Sequence, residues 1–251
     1  MAEHGRGRAL PSSSMPDLKA ALVDVGGTLW PETKWPPWET LRPERVERLR
    51  AAGVEPRCVD ALLAELSGRT LHSTELEYFD VWAMIDDACA AVHVQGVSAE
   101  AIRYACLLPA EGNLDPPPGA HELLECVHEL GLRCVIASNG IYRTAADYWT
   151  DFRAQVLADR ILAVVSSVDT RWRKPNRGFF EVVLEAAEVP ADACVMIGNS
   201  EAKDILPTAS LGMRTVRVAI EEAIPTTSAA DAVCASLEEA ASAVRQLAQR
   251  D

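Results

Sequence analysis

Residues able to do nucleophilic or metal-assisted chemistry gather in four short segments of the 251-residue chain. The first, ALVDVGGTLWPE (residues 21–32), carries Asp24 behind three apolar residues and ahead of Gly26, Gly27 and Thr28. The second, VIASNG, carries Ser138 and Asn139, and the third, RWRKPNRGFF, carries Lys174. The fourth, VMIGNSEAKD, carries Asn199, Ser200, Glu201 and Asp204. A carboxylate, a hydroxyl with neighbouring backbone amides, a fixed ammonium and a further carboxylate form a coherent set. Together they can hold a magnesium ion through hard oxygen ligands and a phosphoryl group through amides and positive charge.

Such a set needs a frame that brings its members together. Residues 18–25 have the pattern of a short buried strand. The proline-rich run WPETKWPPWE (residues 30–39) is expected to be a stiff loop, because Pro31, Pro36 and Pro37 exclude helix and central strand. Apolar spacing then predicts helices over 42–53, ended by Gly53, over 55–68, ended by Gly68, and over 73–92 with Ser73 as N-cap. A fourth begins at Ser98, with Glu100 close behind it. After DPPPGA (115–120), apolar strands alternate with helices: strands at RCVIAS, ILAVVSS, CVMIGN and RTVRV and near Val233, and helices at 119–130, 143–155, 177–188, 202–211 and 237–249. Near-continuous apolar strands separated by helices imply a parallel sheet covered on both faces. The expected fold is α/β, a Rossmann-like sheet core (18–30 and 110–251) with an inserted all-helical unit (31–109) behind a disordered tail (1–17). The four polar segments all fall at carboxyl ends of strands, where open α/β sheets bind ligands.

The four segments, in this order, resemble the haloacid dehalogenase-like superfamily of hydrolases: nucleophile loop, Ser/Thr loop, Lys-Pro segment and acidic loop. The resemblance covers residues 18–30 and 115 to about 220, and the helical insertion falls where that family places its cap. It implies a nucleophilic Asp24 that is also a metal ligand, with Gly26 offering its backbone carbonyl to magnesium. Ser138 and the amide of Asn139 would hydrogen-bond the transferring group beside Thr28, and Lys174 would neutralise charge between Asp24 and the phosphoryl group. Asn199 and Asp204 would complete the metal site, Asp204 being the stronger ligand because an amide oxygen binds magnesium more weakly than a carboxylate. The chain has only four lysines, Lys19, Lys34, Lys174 and Lys203, so one followed by proline at this place is informative. The implied activity is a magnesium-dependent phosphatase acting on a small phosphorylated metabolite.

Gly26 departs from the pattern. Phosphatases of the family carry there an aspartate that protonates the leaving alkoxide, and general acid–base catalysis is worth about 10²–10⁴-fold. Leaving groups that need little protonation, acyl or aryl oxygens, would suffer least. Glu32 or Glu201 could replace the acid. Two alternatives stay open: a non-catalytic protein that keeps the phosphate pocket for binding, and a dehalogenase-like hydrolase of a bond to carbon. The family's dehalogenases carry an aromatic residue at the Gly26 position, and its phosphonate-cleaving branch uses a cap lysine, which residues 40–108 lack.

Trp30, Trp35 and Trp38 form either an aromatic wall for an apolar leaving group or packing between insertion and core. Arg143, Arg171 and Arg173 are candidates for an anionic substrate, and His121 and His128, seven apart on one helix, have no acid at metal spacing. The formal net charge of -13 and the absence of a basic block argue against nucleic-acid binding. No run of about 18 apolar residues could span a membrane. The seven scattered cysteines form no CxxC and fit small buried hydrophobes in a reducing cytoplasm, the expected location.

Overall fold

The computed structural model describes residues 17–30, 38–73, 77–107 and 115–249. The expected tail, apart from Asp17, and Glu32, Lys34 and Trp35 of the proline-rich loop lie outside the described residues.

Among the described residues six strands form one parallel sheet: β1 (Ala20–Val23), β2 (Arg133–Ser138), β3 (Ala163–Ser166), β4 (Cys194–Gly198), β5 (Arg214–Val218) and β6 (Ala232–Cys234). Their order across the sheet is β3-β2-β1-β4-β5-β6. That order reverses direction at β1, which pairs with β2 on one side and β4 on the other. A crevice opens at such a switch point, outside the carboxyl ends of β1, β2 and β4.

Strand alternation decides which residues of β1 face which layer. Ala21 and Val23 join the cluster formed with α5 (Ala120–Glu129), α6 (Ala145–Ala154) and α10 (Leu237–Ala248). Ala20 and Leu22 join the opposite cluster, where, beyond the short α7 (Ser167–Thr170), Phe179, Phe180, Val183 and Ala187 of α8 (Arg177–Ala187) cover the sheet. All four residues of β1 are fully buried, as a central parallel strand between two helical layers requires.

Between β1 and α5 the described residues form four helices: α1 (Trp38–Ala51), α2 (Pro56–Ser73), α3 (Val81–Ala91) and α4 (Ala99–Cys106). They enclose a core of their own around Leu49, Leu62, Leu66, Val81, Ile85 and Ile102. Three sequence expectations are corrected here. Trp38 and Glu39 open α1 instead of ending the loop, and Pro43 is accommodated inside the helix. Helix α2 runs through Gly68 to Ser73, since one glycine costs only about 1 kcal/mol in a helix interior and Leu62 and Leu66 anchor the face. Ser73 therefore ends α2; the N-cap of α3 is Asp80, whose carboxylate accepts from the amides of Trp82 and Ala83. Ser98 caps α4 as expected, accepting from the Ala101 amide.

The helical unit leans on the sheet core at several places, two of them around Tyr142. Tyr142 and Val168 are buried in the unit's own apolar cluster, and the Tyr142 hydroxyl shares a 3.0 Å hydrogen bond with Thr70 of α2. Arg103 of α4, itself buried, donates to the Asp147 carboxylate at 2.6 Å and to the Tyr142 carbonyl. Asp147 is at the same time the closing residue of the Thr144 capping box of α6.

Candidate active site

Asp24 follows β1 directly, and its amide still donates to the Ile197 carbonyl at 2.9 Å, so the ladder holds its backbone to the last residue. The chain then turns sharply: Thr28 and Trp30 amides donate to the Val25 carbonyl, and the Gly27 amide donates to the Trp30 carbonyl. Gly27 has φ +71, and a Cβ there would overlap the Asn199 amide, so both conformation and space demand glycine. The Gly26 backbone is not left-handed and does not itself demand glycine. The turn aims the Thr28 hydroxyl back at Asp24, donating to Oδ2 at 3.2 Å.

The other carboxylate oxygen, Asp24 Oδ1, accepts from Lys174 Nζ at 2.6 Å, and the same ammonium donates to Asp204 Oδ1 at 2.6 Å. All three side chains are buried. Burial alone would lower the Lys174 pKa, but Asp204 and Asp24 outweigh it and hold the ammonium above the ordinary lysine range. Burial pushes Asp204 the other way, up to about 6, with Lys174 opposing and Asp24 adding to the rise. One cation thus serves two carboxylates, a cluster with a residual negative charge.

Helix geometry seats Asp204. The expected helix over 202–211 is in fact a π-helical turn, Glu201–Ile205, continued by α9 (Leu206–Ser210). π turns recur at functional sites because the wider turn redirects a side chain. Here Asp204 Oδ2 accepts from the Ser200 amide at 3.0 Å. A Cβ on Gly198 would stand 2.6 Å from that carboxyl, so the β4 terminus must be glycine for Asp204 to fold over it.

Asn139 holds the lysine segment by its backbone: its Oδ1 accepts from the Lys174 amide and its Nδ2 donates to the Lys174 carbonyl, both at 2.9 Å. Ser138 shares a 2.7 Å hydrogen bond with the Tyr148 hydroxyl of α6. It does not cap the next helix; Thr144 does. The structure thus brings together Asp24, Thr28, Ser138, Asn139, Lys174 and Asp204, with Asn199 over Gly27.

A cavity of about 510 Å³ opens beside them, lined by Val25, Gly26, Ser138 and Asn139 on the sheet side and by Arg45, Thr70 and Leu107 of the helical unit. Trp30, Tyr142, Arg143 and Tyr148 complete its wall. Trp30 is buried against Tyr148 and Phe152 of the sheet core, with ring centroids 5.4 Å away in each case, and it also lines the cavity. Of Trp38 only the backbone is described. Arg143 lines the cavity, ion-paired to Asp151 and lying over the Trp30 and Tyr148 rings. Arg45, Tyr142 and Tyr148 were not legible as site residues, because each occupies a helix or loop whose distance from Asp24 depends on tertiary packing.

Several candidates lie elsewhere. Glu201 is held by Arg217, Ser228 and the Ala229 amide at 2.9, 2.6 and 2.7 Å. Burial alone would raise its pKa, but those bonds outweigh it and favour the carboxylate, the wrong form for a general acid. Arg171 pairs with Asp80 at 2.7 Å and Arg173 lies over Phe79, so both face the helical unit instead of substrate. His121 and His128 are exposed on α5. The five cysteines other than Cys58 and Cys89 are buried, and all seven are free thiols. Among the described residues no helix is long and apolar enough to cross a membrane.

Comparison with known proteins agrees with this fold. A comparison with curated proteins finds no match to the chain. Among solved structures, a HAD phosphatase from Thermococcus onnurineus superposes with a TM-score of 0.62 at 19% identity, covering 93% of this chain and 99% of that one. A 2-haloacid dehalogenase from Pseudomonas syringae pv. tomato DC3000 gives 0.63 at 19% identity, covering 91% and 99%. A HAD-hydrolase of Bacillus subtilis, YfnB, bound to magnesium, gives 0.55 at 16%, covering 91% and 99%. At these identities the likeness shows the fold, and it includes phosphatases and dehalogenases alike. The model of the haloacid dehalogenase-like hydrolase family matches residues 18–212, most of the chain, which therefore belongs to that family of hydrolases.

Proposed function

We propose that the protein is a magnesium-dependent phosphatase that transfers the phosphoryl group of a small metabolite to Asp24. The observation that carries this reading is the buried Asp24–Lys174–Asp204 cluster, with the ammonium 2.6 Å from an oxygen of each carboxylate. Because both Oδ1 atoms contact one ammonium, the two carboxylates converge, and Asn199 places an amide over the same turn. Asp24, the Gly26 carbonyl, Asn199 and Asp204 are hard oxygen donors of the kind magnesium takes, and they would hold it. When bound, the ion neutralises charge on the phosphoryl oxygens. Among the described residues no group of three His, Cys, Asp or Glu side chains could hold a metal. The expected set has only two carboxylates, which supports weaker binding than three would provide.

In the first step an Asp24 oxygen forms the bond to phosphorus while the bond to the leaving oxygen breaks and that oxygen departs with the electron pair. Lys174 balances the charge, and Ser138 and the Asn139 amide receive the phosphoryl oxygens. Water then attacks phosphorus, Asp24 leaves as the carboxylate, and the water's proton goes to the phosphate product. Among the described residues, outside which Glu32 lies, no carboxylic acid or imidazole lines the cavity, and this lining favours leaving oxygens that need no strong proton donor. Acyl and aryl phosphates are therefore the preferred class. The helical unit acts as the cap, and Arg45, a buried cation on its side of the cavity, suits a substrate with a second anionic group.

A second reading, displacement of halide from carbon, is favoured by the same lining, whose described residues include no acid, since halide leaves unprotonated. The experiment that separates the two measures phosphate release from an activated aryl phosphate and halide release from a 2-haloacid, each with and without magnesium. Magnesium-dependent phosphate release that disappears in Asp24→Asn supports the phosphatase. Magnesium-independent halide release supports the second reading, and release of neither supports a non-catalytic binding protein.

A further inference from the structure

Lys174 is gripped from two directions, and only one grip belongs to the sheet core. Asn139 holds its peptide from the core side. From the other side, the three residues before it are paired with the helical unit. The Phe79 amide donates to the Arg171 carbonyl and the Arg173 amide to the Glu77 carbonyl, both at 2.8 Å, making a short antiparallel bridge centred on Tyr78 and Trp172. Side chains repeat the pairing: the Tyr78 and Trp172 rings meet edge to face at 5.0 Å, Arg171 pairs with Asp80 at 2.7 Å, and Asn176 Nδ2 donates to Glu77 at 2.8 Å.

We propose that residues 77–80 are a strap through which the helical unit positions Lys174, making Tyr78 and Arg171 positioning residues for the ammonium that serves Asp24 and Asp204. The strap touches no reacting atom. Its effect comes from adjacency: a peptide fixed at 171–173 leaves no residue of slack before Lys174, whose ammonium must reach two oxygens at 2.6 Å. The strap is also distinct from the other anchors, Arg103 with Asp147 and Tyr142 with Thr70, which lie beside the second segment and not the lysine segment. A movement of the helical unit is thereby transmitted to the lysine first. The contribution to turnover rests on the phosphatase reading; the placement of the ammonium does not.

The chain's four lysines make the test direct. Full-length wild type and a Tyr78→Ala/Arg171→Gln variant are treated with an amine-acylating reagent under native conditions, and acylation of Lys174 is followed by peptide mass spectrometry against exposed Lys203. Both substituted side chains are substantially exposed, so the fold tolerates their loss. The expected result is at least a tenfold rise in Lys174 acylation in the variant, an unchanged Lys203 rate, and restored protection in Tyr78→Phe with Arg171 intact. Arg103→Ala, which loosens the unit elsewhere, leaves Lys174 protected. Unchanged Lys174 acylation in the double variant overturns the proposal, and so does a rise shared equally by Lys203 or by Arg103→Ala. Where phosphate release is measurable, the double variant lowers kcat with little change in KM. If wild type releases none, the phosphatase reading fails while the acylation result still decides the strap.

Discussion

Replacing Lys174 by Met keeps the length of the side chain and removes its charge from between two buried carboxylates. Asp24 and Asp204 each lose a 2.6 Å charge-assisted hydrogen bond and are left facing one another at 6% and 1% exposure. Removing one partner of a buried ion pair costs about 3–5 kcal/mol. For a chain of this size each kcal/mol lowers Tm by about 2–4 °C, so the expected loss is about 6–20 °C. The loss also depends on pH. Asp204 already titrates at about 6, well above its unfolded value of about 3.9, so the native state holds the extra proton and stability falls as pH rises through the folded pKa. Without the ammonium that pKa climbs further, which extends the fall to higher pH and so enlarges it. The assay is thermal unfolding followed by circular dichroism in buffers of about pH 5 and about pH 8. Lys174→Met melts nearer to wild type in the acid buffer and far below it in the alkaline one. A Tm within about 2 °C of wild type at both pH values refutes the claim that one ammonium balances both carboxylates.

Gly26→Asp restores an acid two residues after Asp24 at a position whose backbone does not require glycine, and should raise alkyl-phosphate hydrolysis by about 10²-fold or more relative to aryl-phosphate hydrolysis. An unchanged alkyl-to-aryl ratio would show that the leaving group already has a proton donor. Arg45→Ala should raise KM for an aryl phosphate carrying a carboxylate by roughly tenfold, leaving that for a neutral aryl phosphate unchanged; parallel changes argue against anion recognition. Arg103→Ala breaks the buried pair with Asp147 and should lower stability by about 3 kcal/mol. Burial alone raises the Asp147 pKa, but Arg103 and Thr144 outweigh it and hold it below the ordinary aspartate range. Its stabilisation is therefore present above about pH 3.9 and lost as pH falls through the lower folded value, so acid unfolding of Arg103→Ala should show a shallower dependence there than wild type.

What the sequence discloses follows the range of the physics behind it. Strands such as RCVIAS, buried on both faces, announce themselves by composition, and β2 covers those six residues. Ser98 is likewise legible because a cap acts over three residues. The failures come where tertiary contacts override local signals. Gly68 stays inside α2 because the apolar face around Leu62 and Leu66 continues to pack, and Ser73 loses the capping role to Asp80. Asp204 is visible as a carboxylate of the right segment, but its π-helical seat depends on the approach of Gly198. Arg171 and Arg173 looked like anion ligands because they precede Lys174. Only the fold brings residues 77–80 against them, some ninety residues away in the chain.

The central claim is that Asp24 takes the phosphoryl group. Its most direct measurement is borohydride reduction of the protein during turnover of an aryl phosphate with magnesium, followed by mass spectrometry of the peptide spanning residue 24. An aspartyl-phosphate is reduced to homoserine, so the account predicts homoserine at position 24 in wild type and none when substrate is omitted. Steady phosphate release with Asp24 recovered unmodified, or release undiminished in Asp24→Asn, would contradict it.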